Sequence, residues 1–460
     1  MATRYFRLGG DGSPTTTRSF AVPKMPSFSL PSLHIPTLLP HRIRRKFRST
    51  RSKIRARQTP TSSLASLQTS WDPRESLRAL RTHHWSAYDL QYILLAAVAL
   101  FCLYIRPTPS PLLKILGSVG FLSLLLPPIT RQFFLPFLPI AGWLILFVSC
   151  GVLPSALRAP IWVRVLPAME NILYGANLSN ILSAHKTTAF SVLAWLPYGL
   201  AHFGAPFVCT GAMFLFGPPG TAPVFAKAFG YMNLAGVLIQ LFLPCSPPWY
   251  ENMYGLAPAD YSMHGSPAGL EAIDILFHIK LYTNTFTNSP VVFGAFPSLH
   301  SGCATIEVLF MSHTFPRLRP LFLVYGAWLW WATMYLSHHY AIDLVAGSLI
   351  SGVAYFTAKA LWLPRLQPGK TFRWDYDYVE IGEPLEEFAG SSGGVDFEGL
   401  PQGDSDEWTI GSSSSFSSSS RQHSRDHSLG GRSPVEGGEE QWEGETLASV
   451  SDHEDGGYKV

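Results

Sequence analysis

Two histidines have the spacing and neighbours of a catalytic pair. His339 precedes Asp343 by four residues, which places both side chains on one face of a helix or of its first turn. The Asp343 carboxylate is then predicted to accept one ring N–H of His339, and the other ring nitrogen can act as base or nucleophile. The adjacent His338 pairs by the same count with Ile342, which cannot orient an imidazole. His300 is the second candidate.

Apolar sequence separates the two candidates. Two apolar stretches flank the short basic turn Pro316–Pro320, so the chain is predicted to cross a membrane twice and return to the face it left. His300 and His339 would then share a pocket at one membrane surface. Ser298 adds a hydroxyl donor beside a helix start, where unpaired amides attract phosphate. Together these features predict phosphoryl transfer on a lipid.

Apolar helices must position these side chains. Hydrophobic residues make up 47% of the chain and charged residues only 14%, against roughly 25% in soluble domains. Runs long enough to cross a bilayer recur between residues 88 and 363, and they do not alternate as barrel strands would. We therefore predict an all-α, polytopic membrane helical bundle. The candidate spans are 88–106, 111–128, 133–154, 200–217, 224–244, 302–315, 321–338 and 341–363.

The number of spans is open between six and eight. Residues 155–199 mix prolines and basic residues with apolar stretches, as interfacial helices or a re-entrant element would. An even number is favoured because both tails are expected in the cytosol. The positive-inside rule also assigns the basic turn to the cytosol, so both histidines and the long loop 245–299 would face the other side. Loops of that length are usually functional.

Three regions differ in composition. Residues 1–84 are predicted to be a disordered basic tail, 85–365 the transmembrane catalytic domain, and 366–460 a disordered acidic tail rich in Ser and Gly. The basic cluster at 41–57 could bind nucleic acid. Beside a membrane domain we favour contact with anionic lipid headgroups, and we expect no nucleic-acid partner.

The cysteines and carboxylates do not predict a metal site. The five cysteines show neither zinc nor redox spacing. Cys245 and Cys303 flank the long loop and could pair, but we prefer to interpret all five as small buried hydrophobes. The sequence also lacks a carboxylate cluster of the kind that holds Mg²⁺, so neither a metal nor another cofactor is predicted.

The runs around both histidines resemble known motifs. Residues 294–303 and 330–340 are similar to the second and third motifs of the type 2 phosphatidic acid phosphatase (PAP2) superfamily. The resemblance to fungal inositol phosphorylceramide synthases is closer and covers about residues 85 to 375. It implies a PAP2-like six-helix core. Further matching runs lie at 195–206, 242–250 and 261–267.

The chain departs from the phosphatases at three places. Thr333 stands where their third motif has an arginine six residues before the histidine, and Leu299 replaces a glycine of their second motif. Their first motif, a lysine with an Arg-Pro pair, has no counterpart here. A phosphodiester carries one negative charge where a monoester carries two, so fewer cations are consistent with a diester substrate such as phosphatidylinositol.

The resemblance implies a phosphotransferase that moves inositol phosphate from phosphatidylinositol to the primary hydroxyl of ceramide and releases diacylglycerol. His339 would be the nucleophile, through a phosphohistidine-type intermediate, His300 the acid and then the base, and Asp343 the orienting carboxylate. The resemblance also implies Golgi membrane residence, a lumenal active site and a small regulatory membrane subunit. The alternatives are a lipid phosphate phosphatase and a non-catalytic transporter or scaffold.

Four further side chains are candidates for substrate binding. Tyr198 and His202 lie one helical turn apart and would line the lipid cleft, with core packing as the alternative. His264 and Lys280 lie in the long loop and would contact inositol or phosphate, with solvated loop residues as the alternative.

Overall fold

The computed structural model describes residues 67–376 and 379–381, and its regular elements are helices with a few isolated β-bridges. The predicted all-α class is confirmed. The basic cluster at 41–57 lies outside the described residues, as does most of both predicted tails. The prediction of a disordered N-terminal tail is wrong for Pro73–Arg81, which forms a helix capped by Asp72.

The helices range in length from 6 to 23 residues. In chain order they are α1 (Pro73–Arg81), α2 (Leu90–Ile105), α3 (Pro111–Ser123), α4 (Pro128–Cys150), α5 (Val165–Tyr174), α6 (Leu178–Ser183), α7 (Thr188–Trp195), α8 (His202–Phe216), α9 (Thr221–Phe242), α10 (Pro248–Tyr254), α11 (Glu271–Phe277), α12 (Leu281–Thr287), α13 (Leu299–Thr314), α14 (Arg319–Tyr335) and α15 (Ala341–Leu361). A π-helical segment, Leu196–Ala201, joins α7 to α8 without a break.

The chain is a multi-pass membrane protein. Five stretches among the described residues are long and apolar enough to cross a bilayer, and they correspond to α2, α4, α7 with α8, α9 and α15. The apolar helix α3 has 13 residues, and α13 and α14 have 16 and 17. At 1.5 Å per residue these last two are about 24 Å long, slightly short of the hydrocarbon thickness.

Two predicted regions have different boundaries in the structure. The span predicted at 200–217 begins at Thr188, because the π-helical segment lets the helix continue through Pro197. The sequence between 155 and 187 forms short helices, whereas 188–199 belongs to a span. The predicted loop 245–299 is also not irregular throughout, since it contains α10, α11 and α12.

One end of the bundle carries His300 and His339 and is called the site end. Gly151, which follows α4, packs against Pro290 there. Cys245, just after α9, forms bridges with Trp162 and Gly294. The connections from α4 to α7 and from α9 to α13 therefore meet at the site end.

The other end is called the opposite end, and there the described bundle begins and finishes. Tyr88 before α2 lies with its ring centroid 6.2 Å from that of Trp362 after α15. Pro364 lies beside Gly220, which precedes α9, and its carbonyl is 2.9 Å from His313 Nε2. The chain thus enters and leaves the bundle at one end, as an even number of traverses requires.

An aromatic core fixes the opposite half of the bundle. Phe225 and Phe229 of α9 pack with Phe310 of α13, and Phe310 packs in turn on Tyr355 of α15 at 5.1 Å between centroids. Two-thirds of α9 is buried, against less than two-fifths of the other candidate spans. This central helix is the support against which α13 and α15 are placed.

Small residues bring α13 and α15 close together near the site end. A Cβ on Gly347 would lie 2.1 Å from the Ser298 carbonyl oxygen, so only glycine fits there. Ser301 Oγ donates to the Leu344 carbonyl at 2.6 Å, and Ser351 Oγ donates to the Gly302 carbonyl at 2.6 Å. Small side chains and interhelical hydrogen bonds are the usual basis of close packing inside membranes.

All five cysteines are buried and free. The pairing of Cys245 with Cys303 that the loop position allowed is therefore not formed. Cys303 instead contacts Asn233 Oδ1 at 3.4 Å inside the bundle. Our interpretation of the cysteines as small buried side chains is confirmed.

Candidate active site

The imidazoles of His300 and His339 are in direct contact. Nδ1 of His300 lies 3.0 Å from Nε2 of His339, and one of these two nitrogens carries the shared hydrogen. His300 lies in the first turn of α13, whereas His339 lies in the turn between α14 and α15. The helical hairpin between them returns the chain to the site end, so residues distant in sequence meet.

The second nitrogen of His339 faces Asp343. Nδ1 of His339 is 3.3 Å from Oδ2 of Asp343, close enough for an ion pair but poorly aligned for a hydrogen bond. Oδ2 also accepts the Tyr340 N–H at 3.1 Å, which fixes the carboxylate at the start of α15. His339 is only 5% exposed and Asp343 is fully buried, so water does not screen this contact.

The turn before α15, which carries His338 and His339, is shaped by the backbone of Thr333. The Thr333 carbonyl accepts the N–H groups of both residues, at 3.0 and 3.3 Å. Ser337 has a φ of 62°, a left-handed conformation that ends α14. Thr333, which occupies the position of the phosphatase arginine, is buried and contributes its backbone to the shape of this turn.

Ser298 connects the two helices that carry the site. Its Oγ accepts the Ser301 N–H at 3.2 Å and so caps α13. Its own N–H donates to the Asp343 carbonyl at 3.0 Å. The structure thus gives Ser298 a role in holding α13 to α15, and its contact with substrate stays a prediction.

Tyr198 and His202 form one wall beside His300. Their ring centroids lie 4.6 and 4.8 Å from that of His300, and Tyr198 also stacks on His338 at 5.3 Å. The Tyr198 hydroxyl and His202 Nδ1 are buried without a hydrogen-bond partner among the described residues. Both side chains therefore offer polar atoms next to the imidazole pair.

The π-helical segment that carries Tyr198 is braced from the site end. Trp195 Nε1 donates to the Tyr282 hydroxyl at 2.6 Å, and this hydroxyl donates to the Gly199 carbonyl at 3.4 Å. A Cβ on Gly199 would come within 2.4 Å of the Trp195 ring. Helix α12 thereby fixes the widened turn that faces Tyr198 toward the histidines.

His338 is held in the neutral form. Burial, with a smaller contribution from the neighbouring His339, lowers its pKa to about 3, against a weaker opposite effect of the Pro267 carbonyl. Nε2 lies 3.1 Å from that carbonyl, which can only accept, so Nε2 carries the hydrogen. Phe286 packs on the ring at 4.5 Å. His338 supports the site without changing charge near neutral pH.

His264 and Lys280 lie apart from the imidazoles. Both side chains are exposed at the site end, and neither has a hydrogen bond or ring contact with His300 or His339. Their part in headgroup binding stays a prediction. Across the described part of the chain, no group of three or more His, Cys, Asp and Glu side chains is arranged to hold a metal ion.

Comparisons with known proteins agree on a family. The model of the PAP2 superfamily matches residues 161–357, which contain all of the imidazole cluster. The inositol phosphorylceramide synthase catalytic subunit of Schizosaccharomyces pombe is 51% identical over 330 residues, covering 71% of this chain and 77% of its own length. The chain belongs to the inositol phosphorylceramide synthase family.

Two other relatives support this membership. The inositol phosphorylceramide synthase of Candida albicans is 46% identical over 70% of this chain and 69% of its own. The catalytic subunit of Saccharomyces cerevisiae is 46% identical over 70% of this chain and 80% of its own. No solved structure matches the chain.

Sequence reasoning missed Glu170, a buried carboxylate close to the site of this family member. Its two oxygens accept the N–H groups of Ala341 and Ile342, each at 3.1 Å. It therefore caps α15 just before Asp343 and stabilises the positive end of the helix dipole. The sequence signal for this role is a single acidic residue in the otherwise apolar helix α5.

Sequence reasoning also missed a second carboxylate, Glu251 of α10. Its Oε2 accepts the Tyr340 hydroxyl and the Asn177 side-chain N–H, both at 2.9 Å. Burial raises the pKa of Tyr340, and the nearby Glu251 raises it further, so the phenol stays a donor. No spacing in the sequence indicates these contacts, because the three residues come from separate connections.

Proposed function

We propose that this chain transfers inositol phosphate from phosphatidylinositol to the primary hydroxyl of ceramide and releases diacylglycerol. The observation that carries the proposal is the 3.0 Å contact between His300 and His339, with Asp343 behind the second ring. Membership of the inositol phosphorylceramide synthase family supplies the substrate class. One residue serves as nucleophile and the other as proton carrier.

In the first half of the reaction His339 attacks phosphorus. Its Nδ1–H faces Asp343, so the Nε2 lone pair is directed away from the carboxylate and toward His300. The N–P bond forms as the bond from phosphorus to the diacylglycerol oxygen breaks. His300, in its protonated form, gives a proton to that leaving oxygen. Asp343 stabilises the positive charge that develops on the His339 ring.

In the second half ceramide replaces diacylglycerol. Its primary hydroxyl attacks phosphorus, His300 takes the hydroxyl proton, and the N–P bond breaks. His339 returns to its neutral form and His300 to its protonated form, so the two steps together need no outside acid or base. The buried, unpartnered polar atoms of Tyr198 and His202 are suited to hold polar groups of the bound lipid beside the rings.

We also propose the cellular setting from the family resemblance. The site end would face the Golgi lumen, and both tails would lie in the cytosol. The exposed basic turn with Arg317 and Arg319 is at the opposite end, consistent with the positive-inside rule. Two relatives are named as catalytic subunits, which supports the presence of a small regulatory membrane subunit.

The test is transfer by purified full-length chain in mixed micelles. Phosphatidylinositol labelled in its headgroup is incubated with and without ceramide, and label is followed into a ceramide-linked lipid. We expect ceramide-dependent transfer that His339→Ala lowers by at least about a thousandfold. His185→Ala is the matched control, because His185 is an exposed histidine in the turn before α7.

Two outcomes would overturn the proposal. Retained transfer in a well-inserted His339→Ala protein would reject the nucleophile. Release of inorganic phosphate from phosphatidic acid, without transfer to ceramide, would instead indicate a lipid phosphate phosphatase.

A further inference from the structure

After α15 the chain continues as a short segment at the opposite end of the bundle. Residues 364–376 and 379–381 form this segment, which we call the strap. Pro364 and Ile381 form an antiparallel bridge, and the Arg365 N–H donates to the Glu380 carbonyl at 2.7 Å. The side chains of Arg365 and Glu380 pair at 2.8 Å. Both ends of the strap are thereby fixed together beneath α15.

A buried arginine lies in the middle of the strap. Arg373 is only 2% exposed, and its guanidinium carbon lies 4.2 Å from the ring centroid of Phe214 in α8. Nε and Nη2 are buried without a hydrogen-bond partner among the described residues. An arginine stays charged when buried, and a buried charge without an oxygen partner is strongly unfavourable.

The positions of the two unpartnered nitrogens of Arg373 indicate which kind of group would bind there. Nε and Nη2 are the two donors on one edge of the guanidinium, the edge that holds two oxygens of a carboxylate or phosphate at once. The described carboxylates of the strap are already engaged. Asp375 accepts the N–H groups of Thr371 and Phe372 at 3.0 and 2.8 Å, and Glu380 pairs with Arg365.

The position of Arg373 favours a lipid as the source of the oxygens. Phe214 lies two residues before the end of α8, so the guanidinium lies at the level where this span leaves the bilayer. Phe372 and Trp374 on either side are 45% and 58% exposed, as expected of aromatic side chains that lie among headgroups. Phospholipid phosphates occupy this depth, and basic pockets between helices bind them.

We propose that Arg373 binds the phosphodiester of an anionic phospholipid at the end of the bundle opposite the imidazole pair. The lipid phosphate supplies two oxygens to Nε and Nη2, and its acyl chains lie along the cytosolic half of α8. This site is separate from the proposed transfer reaction. It couples the lipid composition of one leaflet to the stability of helices that carry the active site in the other.

The test measures lipid binding by the full-length chain in detergent, through thermal unfolding. We expect phosphatidylserine to raise the Tm more than phosphatidylcholine, and inorganic phosphate to have no comparable effect. Arg373→Gln should weaken the apparent affinity for phosphatidylserine about tenfold or more, because two charge-assisted hydrogen bonds are lost. Arg317→Gln removes the same charge from an exposed position at the same end and should leave that affinity unchanged.

Arg373→Lys provides a second variant if the Gln variant does not fold. It keeps the charge but not the two-donor edge, so we expect an affinity between those of the wild-type and Gln proteins. Equal affinity of the wild-type, Lys and Gln proteins would overturn the proposal, as would equal stabilisation by phosphatidylserine and phosphatidylcholine.

Discussion

His339 has a different partner at each ring nitrogen. Nδ1 faces the Asp343 carboxylate at 3.3 Å and Nε2 faces His300 at 3.0 Å. A carboxylate only accepts, so the hydrogen belongs on Nδ1 and the lone pair on Nε2. The orientation of the ring therefore depends on Asp343 more than on the general polarity of the pocket.

Replacing the carboxylate by its amide tests this dependence. We expect Asp343→Asn to lower kcat about a thousandfold with little change in KM, because an amide permits the wrong tautomer of His339. Initial rates of inositol phosphate transfer over a range of both lipids provide the measurement. A variant with normal kcat would show that the carboxylate does not orient the ring.

The neutral state of His338 predicts a dependence of stability on pH. Its pKa of about 3 in the folded protein lies below the ordinary value of 6.5, so the unfolded chain binds more protons between these values. Stability is therefore lost as the pH falls from about 6.5, by about 2 kcal/mol at pH 5 from this residue alone.

Thermal unfolding of the wild-type and His338→Gln proteins between pH 7 and pH 5 measures that contribution. Glutamine can still donate to the Pro267 carbonyl but does not titrate. The variant should lose less Tm on acidification than the wild-type protein. Identical losses would contradict the proposed cause.

The residues of the site differ in how far the sequence could predict them. The spacing of His339 and Asp343 is local, and local spacing fixes a shared face whatever the surroundings are. The wall formed by Tyr198 against His300 depends on how the π-helical segment before α8 packs against α13. The contact of Glu170 with α15 joins residues more than 150 positions apart. The pattern of a single sequence does not predict contacts between residues that are so far apart along the chain.

At the scale of elements, the start of α15 is held by three contacts. Glu170 caps it through two N–H groups, Ser298 donates to the Asp343 carbonyl, and Gly347 lets α13 approach closely. The first contact joins α15 to α5, and the other two join it to Ser298 at the start of α13. The position of the carboxylate behind His339 thus depends on helix packing as well as on its own side chain.

The close approach at Gly347 is the most sensitive of these contacts. An alanine Cβ would lie 2.1 Å from the Ser298 carbonyl oxygen, so α15 must move away from α13. We expect Gly347→Ala to cost about 1–3 kcal/mol of stability and to lower the transfer rate, because Asp343 moves with the helix. Thermal unfolding and initial rates give the two readouts.

Gly352 on the same helix provides the matched control. A Cβ there would meet nothing within 4 Å, so Gly352→Ala should leave both the Tm and the rate near the wild-type values. Equal behaviour of the two variants would show that the crossing of α13 and α15 tolerates a methyl group.

Helix type was predictable from composition, whereas helix boundaries were not. Apolar runs of sufficient length predicted the spans, but the start of the fourth at Thr188 depends on a π-helical segment that accommodates Pro197. Proline normally indicates a break. Short helices such as α10 and α11 depend on packing with the bundle and have little signal of their own.

At the scale of the molecule, the alternating helices place the imidazole pair at one end and the strap at the other. The even number of traverses was predictable from the basic turn between α13 and α14. The choice between six and eight spans could not be predicted from the sequence, because α3, α13 and α14 are shorter than an ordinary span. The direction in which each of these three helices runs depends on its contacts with the rest of the bundle.

Cysteine labelling in sealed vesicles tests this arrangement. The native cysteines are all buried, which limits background labelling. We expect Lys280→Cys to react with a membrane-impermeant reagent only from the lumenal side, and Arg317→Cys only from the cytosolic side. Labelling of both positions from the same side would reject the alternation.

The short distance between His300 and His339 also has a kinetic consequence. Two ring nitrogens 3.0 Å apart can serve one phosphorus and one alcohol oxygen, so in the proposed mechanism the two lipids occupy the same place in turn. Double-reciprocal plots for the two substrates should then be parallel lines. Without ceramide, radioactive diacylglycerol should still exchange into phosphatidylinositol, because the first half of the cycle runs backward with no acceptor present.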